Sequence, residues 1–217
     1  MSLNIIENEF GKLNGVTAIY GEWATGKTVI CMLAALETAR SGKKVFYIDP
    51  QKNFSVERIK QLDADYEKLL ENFIIISPKD MGEQKNLLEK LRKKVNDSTG
   101  IVIVDTISAL YRLKFAKKEK DAYHINRDLG LQLTYLNDIA RKHSIPVIIT
   151  AEAVAKPESE QETSMVAGNL IGHMCTTVIE LKRYNEARKI AILKKSPSKE
   201  RKRFMFEIVE KGIEVIA

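Results

Sequence analysis

The sequence predicts an α/β fold: a mostly parallel central sheet flanked by helices, with antiparallel strands added at the C-terminal end. Three observations predict it. Between Val16 and Thr150, five short apolar runs rich in β-branched residues alternate with segments of helical character, the pattern of a sheet covered on both faces. A glycine-rich loop joins the first of these runs to an apolar, helix-forming stretch. After Thr177, four strand-like runs follow one another with no helical segment between them, as in a sheet extended by hairpins. One domain of this shape accounts for all 217 residues, ample chain for a real core.

Val16–Tyr20 (VTAIY) is the first strand, followed by the loop and a helix over Val29–Ala39. Lys44–Asp49 (KVFYID) is the second strand, and Phe54–Leu70 has the mixed character of one or two short helices. Asn72–Ile76 (NFIII) is the third. Gly82–Val95 is helical, with Leu88, Leu91 and Val95 at i, i+3, i+7. Ile101–Asp105 (IVIVD) is the fourth strand. A long helix from about Asp121 to His143 then carries Ile125, Leu129, Leu133, Leu136 and Ala140 on one stripe. Pro146–Thr150 (PVIIT) is the fifth strand. The tail reads as strands over Thr177–Leu181, Lys189–Leu193, Arg203–Val209 and Gly212–Ile216, all expected to extend the sheet antiparallel, with a hairpin across Arg183–Arg188.

Composition is ordinary for a globular chain, at 44% hydrophobic and 29% charged. No apolar run approaches the roughly 18 residues that span a bilayer, and Met1–Gly15 does not have the make-up of a signal peptide. Cys31 and Cys175 lie far apart without metal or redox spacing, which suits a reducing cytoplasm. The three histidines (124, 143, 173) share no ligand spacing. Net charge is +6, and its distribution matters more than its sum. From Glu180 to Arg203 there are ten Lys/Arg against three acids, and Lys114, Lys117, Lys118 and Lys120 form a second cluster. Localised positive charge is the electrostatic signature of a polyanion; a solvated lysine face would look the same in sequence.

Gly21-Glu22-Trp23-Ala24-Thr25-Gly26-Lys27-Thr28 fits G-x-x-x-x-G-K-[ST], the Walker A phosphate-binding loop (P-loop). Strand, loop and helix in that order bring polyphosphate against free backbone N–H groups at the positive end of a helix dipole. Lys27 would reach the β- and γ-phosphates, and the Thr28 hydroxyl would ligate Mg²⁺. The fourth strand ends in Asp105, at the sheet edge where open α/β folds bind ligands, so Asp105 is the expected second Mg²⁺ partner. Asp49-Pro50-Gln51 and Thr150-Ala151-Glu152 end two further strands and should face the terminal phosphate. Polar residues also end strands simply because strands end at water.

These features together resemble the core ATPase domain of the RecA superfamily, and within it the archaeal recombinase paralogues of the RadB type. The P-loop with its Gly-Glu opening carries the resemblance, with Tyr47-Ile48-Asp49 followed by Val56-Glu57-Arg58-Ile59 and the Asp105-Thr106-Ile107-Ser108 turn. Gly168–His173 and the closing Phe204–Ile213 segment carry it further. The resemblance implies ATP and Mg²⁺ as cofactors and places the adenine-stacking arginine at Arg58. It also implies a bare core: only 15 residues precede the first strand, and no Phe-x-x-Ala subunit handle is found. Two departures stand out. The family's water-polarising glutamate position is Gln51, and its phosphate-sensing glutamine position is Glu152. An amide cannot take a proton as a carboxylate can, and a carboxylate facing a phosphate repels it unless neutralised. Binding with weak or absent hydrolysis is the expectation; the sharper alternative is that Glu152 orients water from the opposite side.

The resemblance places DNA contacts in two loops. The first is Tyr111–Lys120, which mixes Tyr111, Arg112 and Phe115 with lysines, a composition suited to single-stranded DNA. The second, Ala153–Gly168, is acidic at Glu158, Glu160 and Glu162, and its usual Gly-Gly is Gly168-Asn169. DNA binding would therefore lean on the first loop and the basic C-terminal segment. Lys194 and Lys195 are expected to end a strand at the ligand edge, where they would offer cations to a neighbouring subunit's nucleotide if subunits stack. Three functions remain open: a recombination or repair accessory touching DNA or the main recombinase, a KaiC-like regulatory ATPase acting on proteins, or a nucleotide-binding subunit that does not hydrolyse.

Overall fold

The computed structural model describes residues 7–10, 13, 15–116, 122–156, 159–197 and 202–216. In chain order the elements are β1 (Val16–Gly21), α1 (Lys27–Arg40), β2 (Lys44–Ile48), α2 (Val56–Leu62), α3 (Tyr66–Leu70), β3 (Phe73–Ile76), α4 (Met81–Lys94) and β4 (Thr99–Val104). They continue as α5 (Ser108–Ala116), α6 (Ala122–His143), β5 (Val147–Lys156), β6 (Ser159–Met165) and α7 (Gly168–Met174). The tail is β7 (Thr177–Arg183), β8 (Arg188–Lys195), β9 (Arg203–Val209) and β10 (Gly212–Ile216).

Among the described residues ten strands form one sheet in the order β10-β9-β8-β7-β1-β5-β4-β2-β3, with β6 paired to β5 off that path. β1 sits between β5 and β7, parallel to both, and all six of its residues are buried. A strand buried on both faces explains why VTAIY lacks polar alternation. β4 pairs with β5 and β2, and β2 with β3, all in parallel. The six strands β1–β5 and β7 therefore end at one edge, where the P-loop lies.

One face of the sheet is covered by α4 and α6. The predicted stripe of Ile125, Leu129, Leu133, Leu136 and Ala140 is buried there, together with Leu88, Leu91 and Val95. The other face packs on α1 through Ile30, Met32 and Leu36, and the inner sides of β7–β9 join it through Leu181, Leu193 and Phe206. Local signals set the helix starts. Ser55 caps α2 by accepting from the Arg58 N–H at 3.1 Å, and Asp80 caps α4 by accepting from the Glu83 N–H at 2.8 Å.

Four details differ from the sequence expectation. β7 is parallel to β1 because the chain returns through α7; the antiparallel run starts only at the β7–β8 hairpin, closed by Asn185 Oδ1 on the Ala187 and Arg188 N–H groups. The segment Tyr111–Lys120 is not a loop throughout, since α5 runs to Ala116; Lys117, Lys118 and Lys120 lie outside the described residues. After Ala153, β5 continues to Lys156 and pairs antiparallel with β6, the strand on which Glu160 and Glu162 lie; Glu158 is outside the described residues. Polar composition hid these strands, because their ladder partner is supplied by the chain itself.

The fourth is a correction. β8 runs antiparallel to β7, so Lys195 stands opposite Val178, at the start of the parallel strands. Lys194 and Lys195 thus lie at the edge away from the P-loop and do not end a strand beside it. Lys195 instead donates to the carbonyls of Gly172, His173 and Cys175 at 2.9, 3.0 and 2.7 Å. That is a cation on the free carbonyls and negative dipole end of α7. Replacing Lys195 with Ala should cost about 1–2 kcal/mol, read as a fall of roughly 2–8 °C in Tm, with nucleotide affinity unchanged.

Candidate nucleotide-binding site

The site begins with two glycines that no other residue can replace without moving the fold. A Cβ on Gly21 would lie 2.4 Å from the Leu181 carbonyl oxygen and 2.8 Å from Thr25 Oγ1. Gly26 has φ +98°, and its Cβ would meet Ile208 Cδ1 at 2.9 Å, so both conformation and space demand glycine. Between them, buried Thr25 donates to the Glu22 carbonyl at 2.8 Å and closes the loop on itself. α1 then starts with no side-chain cap and no acid in its first turn. A 14-residue helix whose first N–H groups are left to an outside acceptor is built for an anion. Trp23, at the loop's tip, is 87% exposed, and its carbonyl accepts from Arg183 at 3.2 Å.

Lys27 folds over the loop and donates to the carbonyls of Gly21 and Glu22 at 2.8 and 2.6 Å. Burial pulls its pKa below the usual lysine value, while the charges of Asp105 and Glu152 push the other way. Phosphate oxygens would give the ammonium stronger, charge-assisted partners than two carbonyls. Thr28 stands beside it on the wall of a cavity of about 760 Å³, which Gln51, Asp105, Arg112 and Glu152 also line.

Asp105, 8% exposed, is held from two sides. Tyr47 donates to Oδ2 at 2.9 Å and Thr150 to Oδ1 at 2.5 Å, and Thr150 is within 2.6 Å of the Thr106 hydroxyl. The Asp105–Thr106 peptide bond is cis. Burial, and then the Asp105 charge, raises the Tyr47 phenol well above its ordinary value, so it remains a donor. Each carboxylate oxygen keeps a lone pair after one such bond. Thr28 and Asp105 therefore fit a hard cation, which needs few protein oxygens when phosphates and water complete its shell. Among the described residues no group of three or more His, Cys, Asp or Glu could hold a metal ion, so a cation here would depend on the phosphates it accompanies.

The remaining predicted residues separate. Glu152 stands opposite Gly21 in the β1–β5 register, and its backbone N–H donates to Ser108 Oγ at 3.0 Å. It is also the point where β5 leaves β1 and begins to pair with β6. Its carboxylate forms an ion pair with Arg112 of α5, so it does not face the cavity as an uncompensated charge. Arg112 is the site residue that sequence reasoning placed elsewhere. Its one available signal was spacing, seven positions after Asp105, one helical turn into the helix that follows β4. Gln51 is exposed on the cavity wall. Arg58 is not on that wall. Its guanidinium donates to the carbonyls of Val209 and Glu210 at 2.8 and 3.0 Å and to Gln61 at 2.7 Å.

Comparison with known proteins agrees with this architecture. The Rad51 family model matches residues 9–216. A Methanococcus maripaludis protein described as "DNA repair and recombination protein RadB" is 35% identical over 202 residues, covering 93% of this chain and 92% of its own. A Methanocaldococcus jannaschii protein of the same description is also 35% identical over 202 residues, at 93% of each chain. A crystal structure of the RadB recombinase superposes with a TM-score of 0.81 at 31% identity, covering 100% of this chain and 97% of that one.

The polar floor of the site is open to test. Tyr47→Phe leaves a buried carboxylate oxygen one donor short and should cost about 1–3 kcal/mol of stability, measured as a lower midpoint in urea with an unchanged m-value.

Proposed function

This chain belongs to the Rad51 family and is RadB-like, and from that premise we propose that it binds MgATP at the P-loop. On this reading it turns ATP over slowly if at all and serves in DNA recombination or repair as an accessory to the main recombinase. The observation that carries the reading is the single cavity shared by Lys27, Thr28, Asp105, Gln51 and the Arg112–Glu152 pair. The uncapped start of α1 and Lys27 take the phosphates, and Thr28 and Asp105 take Mg²⁺, which neutralises their charge. Efficient hydrolysis needs a base within reach of the attacking water. Gln51 has no carboxylate to offer, and Glu152 is engaged by Arg112, which weakens it as a substitute. Adenine would lie outside the phosphate cavity; the in-plane bonds of Arg58 to Val209, Glu210 and Gln61 would fix its guanidinium and leave its faces for stacking.

A second groove, of about 1160 Å³, supports contact with single-stranded DNA. Tyr111, Tyr123, Arg127, Asn169, His173 and Lys194 line it. Tyr123 is 73% exposed, available for a base to stack on. The basic C-terminal segment contributes less than its count suggests, because Lys195 caps α7, Lys194 pairs with Glu180 and Arg188 with Glu207; Lys199 and Arg201 lie outside the described residues. Likeness to proteins described as DNA repair and recombination proteins favours this role over the KaiC-like regulator. A role in DNA repair would place it in the cytoplasm; among the described residues no helix is long and apolar enough to cross a membrane.

Two measurements test the reading. Purified protein should bind MgATP yet turn over well below the roughly 1 s⁻¹ floor of typical enzymes, and Glu152→Gln should be no slower; a large loss in that variant would make Glu152 the base. Single-stranded DNA affinity should fall with salt at a log–log slope of about −0.7 per phosphate contact. Tyr123→Ala should weaken it by about 1–3 kcal/mol. A flat salt response would remove DNA from the proposal.

A further inference from the structure

Arg112 and Glu152 carry opposite charges into the same phosphate cavity. Their backbones are fixed: α5 starts at Ser108, whose hydroxyl holds the Glu152 N–H at 3.0 Å, and Glu152 is registered against Gly21. Their side chains are less confined, at 53% and 26% exposure. The loop N–H groups cradle the first phosphates of a nucleotide, and Lys27 reaches for the last ones. A third phosphate would lie where Lys27 reaches, beside the strand ends that carry Asp105 and Glu152. Lys27, Asp105, Arg112 and Glu152 all line that one cavity. There a guanidinium attracts phosphate by bidentate, charge-assisted bonds, and a carboxylate repels it.

Resting on the nucleotide-binding reading above, we infer that Arg112 and Glu152 together determine how far this site prefers a nucleoside triphosphate to a diphosphate. Arg112 is the attracting member and Glu152 the counterweight. A bound third phosphate competes with Glu152 for the guanidinium. The two effects oppose, so the intact pair leaves the site with little discrimination, and removing either charge exposes the other.

The arrangement makes a signed prediction that a merely structural ion pair does not. The full chain, its Arg112→Gln and Glu152→Gln variants and the double variant are titrated calorimetrically with ADP and with a non-hydrolysable ATP analogue, both with Mg²⁺. The readout is the ratio of the ADP to the analogue dissociation constant. Arg112→Gln should lower the ratio about tenfold and Glu152→Gln should raise it about tenfold, within the usual range of coupling between sites. The double variant should return to within about threefold of the parent, since the two terms act on one phosphate. If both single variants move the ratio in the same direction, or leave it within twofold, the inference is wrong although nucleotide binding stands. If the parent chain binds neither nucleotide, the underlying reading fails and takes the inference with it. Should Arg112→Gln melt below the assay temperature, the isosteric Glu152→Gln decides alone, by the sign of its change.

Discussion

The uncapped start of α1 is the constraint around which the rest of the molecule is arranged. A buried helix normally satisfies its first N–H groups with a Ser, Thr, Asp or Asn side chain, and this chain does so at α2 and α4. At α1 it places Gly26 in the left-handed region instead and keeps acids out of the first turn. The close approach of the Leu181 carbonyl at Gly21 and of Ile208 at Gly26 locks the loop in that shape. The positive end of the helix is thereby held open, at the centre of the sheet, beside the ends of β1, β4 and β5.

What surrounds that opening is a set of opposed and paired charges. Asp105 is immobilised by two hydroxyl donors, which would suit a carboxylate that held a cation's water. Glu152 is paired, and Gln51 is neutral. A binding site needs complementary charge, whereas hydrolysis also needs a free base placed within a few tenths of an ångström. The cavity offers several charged and polar residues, and among the described residues on its wall both carboxylates, Asp105 and Glu152, are already engaged.

The antiparallel half of the sheet does more than extend it. Its inner face completes the core over α1, and the turn after β9 is tied to α2 by Arg58. Several of its cations are spent on internal bonds: Lys189 on the hairpin carbonyls of Glu186 and Ala187, Lys194 on Glu180, Lys195 on α7. A high local count of lysine and arginine is therefore a poor measure of free positive surface when the strand that carries them is central in its sheet.

Much of this was legible from residues in sequence order. The P-loop, the five apolar strands and the α6 stripe of Ile125, Leu129, Leu133 and Leu136 are local or periodic patterns, and backbone sterics with apolar burial act locally enough for periodicity to reveal them. Asp105 was legible because the end of a buried strand after a P-loop has only one place to go. The partner of Glu152, the hairpin hidden in an acidic stretch and the true edge reached by Lys195 were not legible. Each depends on which segments lie side by side, as Arg112 lies 40 positions from Glu152. By itself the sequence determined a phosphate-binding loop in an α/β sheet. Only tertiary structure decided which charges around it are neutralised, because an ion pair forms between neighbours in space and leaves no period in the chain.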